Sequence, residues 1–283
     1  MKEEFSIMIP GAQGDGARLR VVAPWDLTPI TEVPTASAKD IERALETAYR
    51  VFRDRDQWLP VSRRIEILEK TACLMEQQAG HLALEAAREG GKPLVDSRVE
   101  VARAIDGVKN CIEVLRSGGG REIPMGLNAA SQNRLAFTRK EPIGVVVAVS
   151  AFNHPLNLIV HQVGPAIAAG CPVIIKPAED TPLSCFRFIK LLREAGLPEA
   201  YCQGCVVSEV TLAERLVTDE RVAFFSFIGS AKVGWMLRSK LAPGTRCALE
   251  HGGAAPVIID TTADLEHTLP LLAKGGLYHA GQV

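Results

Sequence analysis

The chain has 283 residues, with 32 basic and 33 acidic side chains and a net charge of −1. That length suits one large α/β domain or two smaller ones around a full-sized core. Near-neutral charge excludes the electrostatic footprint of a nucleic-acid or anionic-membrane binder. The polar start, Met1-Lys2-Glu3-Glu4-Phe5, lacks an apolar signal core, so a cytoplasmic location is expected.

Residues 1–35 read as irregular or strand-forming lead-in, punctuated by Pro10, Pro24, Pro29 and Pro34. From Ser37 the period turns helical. Ser37 is placed to cap a helix over 39–53, with Ile41, Ala44, Leu45, Ala48 and Phe52 on one face. Ser62 opens a second, long helix to about Arg88, with Ile65, Leu68, Ala72 and Met75 as its core stripe. Gly90-Gly91 stops it, and Pro93 helps start a third helix to about Leu115. Gly118-Gly119-Gly120 ends that one. Residues 121–141 alternate and turn like a β-hairpin.

Thirty-four consecutive residues, 142–175, then carry no Asp, Glu, Lys or Arg, in a chain that is 23% charged. Their runs are too short to span a bilayer. Prolines 142, 155, 165 and 172 and the polar Asn157, His161 and Gln162 also argue against a span. The pattern is strand, turn, helix, strand, with strands buried on both faces. Beyond it, strands are expected at 143–149, 172–175, 202–207, 222–227, 246–249 and 256–259. Helices are expected at 155–169, 182–195, 209–217, 231–240 and 263–275. That alternation implies a mostly parallel sheet with helices on both faces. Ligands of such sheets bind at the carboxyl ends of the strands, where Asn153 and Lys176 fall.

Seven cysteines, an odd number without a signal segment, suggest reduced thiols. Cys202 and Cys205 have metal or redox spacing. In a strand, however, an offset of three puts them on opposite faces, and no second pair completes a zinc site. They read as inert buried thiols, and no metal is expected.

Three further segments could carry chemistry. Gly229-Ser230-Ala-Lys-Val-Gly234 follows a strand and opens a helix, which suits either a phosphate or a plain connection. It lacks the Lys-Ser/Thr of a P-loop. Lys176-Pro-Ala-Glu179 suits a ribose, and its carboxylate would repel a 2′-phosphate; the alternative is a solvated ion pair capping the next helix. Leu249-Glu250-His251-Gly252-Gly253 offers a general base beside two glycines. The rival reading, a serine-esterase oxyanion motif, lacks its GxSxG elbow.

Phe152-Asn153-His154-Pro155, Lys176-Pro-Ala-Glu179, Phe227-Ile-Gly229-Ser230 with Gly234, and Glu250-His-Gly252-Gly253 occur in the order and spacing of the aldehyde dehydrogenase superfamily. The chain resembles that family over nearly its whole length. The resemblance implies an α/β fold: a Rossmann-like parallel-sheet cofactor domain with N-terminal helices, an oligomerisation hairpin and only the start of the catalytic domain. The implied parts are an N-terminal helical portion at 1–122, the hairpin at 123–141, the NAD-binding core at 142–252 and the beginning of the catalytic domain at 253–283.

In that family a cysteine thiolate attacks the aldehyde, a hydride passes to NAD(P)⁺, and the thioester is hydrolysed. Asn153 matches the oxyanion-stabilising asparagine, and Glu250 the base that activates water. Lys176 and Glu179 match the pair that grips the adenosine ribose, implying NAD rather than NADP. Val149, Ser150, Ala151 and Phe152 match the cofactor channel, Gly229 and Ser230 match the turn facing the pyrophosphate, and Phe227, Val233 and Gly252 are further implied cofactor-binding residues. The family's nucleophile follows Gly-Gln-x, and the chain ends Gly281-Gln282-Val283, so the cysteine is expected as the next residue and the chain as the front part of such an enzyme.

Three departures from the family pattern stand out. His251 replaces the usual leucine and either tunes Glu250 or packs. Val207-Ser208-Glu209 replaces a glycine-rich loop. His154, Asn157 and His161 replace an apolar tunnel face, which implies either a small polar aldehyde as substrate or bonding to neighbouring helices. The hairpin implies a homodimer or homotetramer, with no nucleic acid and no membrane. The alternatives are a non-catalytic NAD-binding pseudoenzyme or assembly subunit, and a CoA-acylating relative.

Overall fold

The computed structural model of the chain describes residues 3–283. Strands β1 (Arg18–Val22) and β2 (Pro29–Pro34) pair antiparallel and bury Val21 and Val33. Helix α1 (Ala38–Arg53) starts at Ser37 in a full capping box with Asp40. Asp40 is buried and also accepts from the Gln13 and Gly14 amides at 3.0 Å, tying the lead-in to the helix.

The long second helix is two helices, α2 (Val61–Gln77) and α3 (Ala79–Gly90). The break is one residue, Gln78, at φ −105° and ψ 11°. No glycine or proline occupies it, so the helical period runs through unmarked. Pro60, not Ser62, precedes the first turn of α2. Gly91 ends α3 at φ +59°, where any side chain would also meet Pro24 at 3.0 Å. Helix α4 (Leu94–Ser117) follows Pro93. The hairpin is reduced to two short strands, β3 (Glu122–Ile123) and β4 (Ala136–Phe137).

The α/β unit then runs β5 (Val145–Val149), α5 (Asn157–Ala169), β6 (Val173–Lys176), α6 (Leu183–Glu194), β7 (Cys202–Gly204), α7 (Val210–Thr218), β8 (Val222–Gly229), α8 (Ala231–Arg238), β9 (Arg246–His251) and α9 (Leu265–Leu277). Its five strands are all parallel, in the order β7-β6-β5-β8-β9. The alternation of β5 divides the core. Val146 and Ala148 pack with α2 to α6, and Val145 and Val147 pack with α1, α7 and α8. Cys202 and Cys205 fall into the two separate cores. Burial pushes both thiols up to about 12, which leaves them inert.

Three expected elements differ. Strand β7 is three residues long rather than six, and its outer edge is covered by bridges from Met8 to Gly204 and from Ala36 to Val207. Residues 256–259 form no strand. Among the described residues no strand lies beside them, and Val257 and Ile258 are 65% and 92% exposed. Helix α5 starts at Asn157 rather than 155, because Asn153 to Leu156 form bends and a turn. Among the described residues no helix is long and apolar enough to cross a membrane.

Candidate active site

Strand β5 is central, and its neighbours β6 and β8 carry the chain away in opposite directions. That reversal opens a crevice at the carboxyl edge, the usual ligand position of such sheets. Register brings the sequence motifs to one level there. Val149 lies opposite Lys176 on β6 and Phe227 on β8, and Phe227 lies opposite Leu249 on β9. Gln162 on α5 ties this edge together: its Nε2 donates to the Val149 carbonyl, the Ser226 carbonyl and the Ser226 hydroxyl, each at 3.1 Å.

On the α8 side, Lys176 is buried and its Nζ meets the Glu179 carboxylate, which stays about half exposed. Glu179 does not cap the next helix. The Leu183 and Ser184 amides of α6 donate instead to buried Glu89, both at 2.8 Å. The Ser150 amide donates to the Lys176 carbonyl at 3.1 Å, and its buried hydroxyl has no partner. Ala151 is half-buried and Phe152 exposed beside it. Ser230 caps α8 by accepting from the Val233 amide at 3.4 Å, and both residues are exposed. A side chain at Gly229 would strike the Phe227 ring at 2.7 Å, whereas Gly252 faces open space.

His251 packs rather than joins Glu250. Its ring stands edge-on to Phe227 and Trp235, with centroids 6.1 and 5.2 Å away. A methyl group on Gly234 would lie 2.2 Å from its Nε2. Strand alternation sends Glu250 to the opposite, α5 face, where its charge is felt by His161.

On the α5 side, the Asn153 Nδ2 donates to the Gln282 carbonyl at 2.8 Å, and its Oδ1 accepts from the His154 amide at 3.1 Å. His154, Asn157 and His161 do not share one helical face, because His154 precedes α5. Its ring lies 3.9 Å from that of buried His279, and the His279 amide donates to Asp96 at 3.0 Å. Burial, reinforced by the nearby Lys92 charge, depresses both imidazoles to about 4, so both are neutral at pH 7. Asn157 is buried, with its amide held by Glu100 at 3.0 Å. His161 keeps part of its surface in solvent, and the partial burial of its ring lowers its pKa, while Glu250 raises it and Arg103 lowers it further. From His161 a groove of about 580 Å³ runs between α4 and α5, past Gly107, Asn110 and Cys111, toward the far end of α5 and away from the strand ends.

Sequence reasoning missed Lys92, Glu89 and Glu100. Each is a charged residue at 5% exposure or less, contributed by the helical layer more than fifty residues before the segment it holds. Glu89 and Glu100 lie within α3 and α4, and Lys92 lies in the short connection between them, so no local pattern sets these charges apart from solvated ones.

A sequence model described as the aldehyde dehydrogenase family matches residues 12–283. The 3-sulfolactaldehyde dehydrogenase of Priestia aryabhattai is 35% identical over 266 residues, covering 94% of this chain and 55% of that protein. Aldehyde dehydrogenase 21 from Physcomitrella patens, solved with its product succinate, superposes with a TM-score of 0.89 at 32% identity, covering all of this chain and 59% of that one. The glyceraldehyde-3-phosphate dehydrogenase GapN of Methanocaldococcus jannaschii, solved with NADP, gives 0.86 at 33% identity, covering 95% and 58%. The chain thus spans about half the length of the curated relatives it matches.

Proposed function

The chain belongs to the aldehyde dehydrogenase family, and on that premise we propose that it serves the NAD-dependent oxidation of a small polar aldehyde to a carboxylic acid. One observation carries the reading most. The Asn153 amide donates to the backbone of Gly281-Gln282-Val283, the sequence after which the family's cysteine nucleophile stands. A donor at that point would meet the oxygen of an aldehyde bonded to a cysteine placed as the family resemblance implies. There it stabilises the alkoxide as charge develops, an effect of about 2.7–4 kcal/mol when one such donor is lost. Glu250, on the same face of the sheet, is the proposed base that takes a proton from water for thioester hydrolysis.

A dinucleotide suits the residues of the crevice. The orphaned Ser150 hydroxyl, the Lys176–Glu179 pair and the open space at Gly252 offer polar partners and room. When bound, the nicotinamide supplies the hydride acceptor. Lys176 and Glu179 would hold the adenosine ribose through its hydroxyls, and the Glu179 carboxylate would repel a 2′-phosphate, so NAD is favoured over NADP. Gly229, Ser230 and Val233 would meet the pyrophosphate at the start of α8.

Polarity around Asn153 supports the substrate class. His154 follows it in the chain, His161 is near enough for its charge to be felt by His154, and Arg103 carries a charge that both histidines feel. An aldehyde bearing a hydroxyl or an anionic group fits that surface better than a long alkyl chain. Exposed Leu127, Leu135 and Phe137 around the short hairpin support a homodimer or homotetramer. The test is a panel of aldehydes with NAD⁺ on a protein that carries this chain together with the expected cysteine, read as NADH formed. Hydroxylated or carboxylated aldehydes should give the higher kcat/KM; a preference for long-chain alkanals would refute the substrate class.

A further inference from the structure

The junction between α3 and α4 holds a buried cation with no part in the chemistry proposed above. The Lys92 side chain is fully buried and ion-paired with the equally buried Glu100. The same Nζ donates to the Asn153 carbonyl at 3.0 Å. The other Glu100 oxygen accepts from the Leu156 and Asn157 amides at 2.9 and 3.0 Å, donors that the start of α5 would otherwise leave unpaired. Two residues before Lys92, the Gly90 carbonyl accepts from Gln282 Nε2 at 2.9 Å. A closed circuit results. The junction grips the backbone of Asn153 and the side chain of Gln282, and the Asn153 amide donates across the gap to the Gln282 carbonyl.

We propose that Lys92, neutralised by Glu100, is a positioning residue that fixes the turn at Asn153 and thereby aims its side-chain amide at residues 281–283. Stability alone does not explain the pair. A buried ion pair is often no more stabilising than apolar side chains of the same volume, because both charges lose their hydration. An apolar pair in this place would fill the space and leave the Asn153 carbonyl without a donor. Within the turn, the His154 amide donates to Asn153 Oδ1 and the His154 carbonyl accepts from the Leu158 amide, while the Asn153 carbonyl and the Leu156 and Asn157 amides are held by Lys92 and Glu100. The inference rests on Asn153 as the oxyanion donor for its catalytic meaning, but the geometry can be measured without turnover.

The test compares wild type, Lys92→Met, Glu100→Gln and the double variant Lys92→Met/Glu100→Gln. Lys92→Met alone strands the Glu100 charge and can unfold the chain. The double variant removes that charge while its amide oxygen can still accept from Leu156 and Asn157. The readout is solvent exchange of the Asn153 side-chain amide by ¹⁵N NMR, assigned with Asn153→Asp. In the double variant the melting temperature should stay close to wild type while that amide exchanges at least tenfold faster; Glu100→Gln alone should exchange within about threefold of wild type. Unchanged protection in a folded double variant overturns the proposal. In the aldehyde assay the double variant should lose at least tenfold in kcat with the KM for NAD⁺ unchanged, and an unaltered kcat would equally overturn it. If a wild type that carries the expected cysteine turns over no aldehyde, with the amide loosened in the double variant, the proposed function is refuted and the positioning role stands.

Discussion

Glu89 is a fully buried carboxyl that holds the start of α6 through two backbone amides and the Ser184 hydroxyl. Burial outweighs those bonds and pushes its pKa up to about 7 from its ordinary value of 4.5. A raised carboxyl pKa means that the fold favours the protonated form. Its stability contribution is therefore complete below about pH 4.5 and lost as pH rises through about 7. The difference corresponds to about 3 kcal/mol over that window. Glu89→Gln should remove that limb from a plot of unfolding free energy against pH, measured by denaturant melts. An unchanged limb would mean that Glu89 is ionised in the fold. Nothing near Glu89 in sequence, Arg88 and Gly90, marks it as buried. Asn153, Lys176 and Glu250 were legible because each closes an apolar strand or opens a turn, where a lone polar residue stands out.

At the scale of elements, the βα alternation was legible because periods of two and about 3.6 alternate cleanly after Pro142. Ser37 marked the start of α1 for the same kind of local reason. The break at Gln78 was not, because it needs only one residue off helical angles and packing against α4 decides where it falls. Nor was the failure of residues 256–259 to form a strand, because an apolar run becomes a strand only beside a partner. Gly234 of α8 packs closely against His251 of β9. Gly234→Ala would place a methyl group 2.2 Å from His251 Nε2, so the ring or α8 has to move. Overpacking of this kind costs about 1–3 kcal/mol. The variant should melt at lower denaturant, and His251→Leu in the same chain should recover part of the loss. Equal midpoints for wild type and Gly234→Ala would contradict that close packing.

On the scale of the whole molecule, two apolar cores flank a parallel sheet, and every motif that carried the family resemblance lies at or just beyond the carboxyl end of a strand. The sheet could be read from sequence because its strands are locally apolar. The circuit joining Gly90, Lys92, Asn153 and Gln282 could not, because it is assembled from three distant stretches of chain. The segment after β9 packs differently. Helix α9 buries none of its residues, and Leu265, Leu269, Leu271 and Leu277 are exposed.

The central claim is that the crevice beside β5 and β8 is a dinucleotide site selective for NAD. Calorimetric titration of the chain with NAD⁺ and NADP⁺, repeated on Lys176→Ala, tests it most directly. Saturable binding of NAD⁺ at least tenfold tighter than NADP⁺, and weakened at least tenfold in Lys176→Ala, is the expected result. No saturable binding of either nucleotide, or equal binding by wild type and Lys176→Ala, would contradict it.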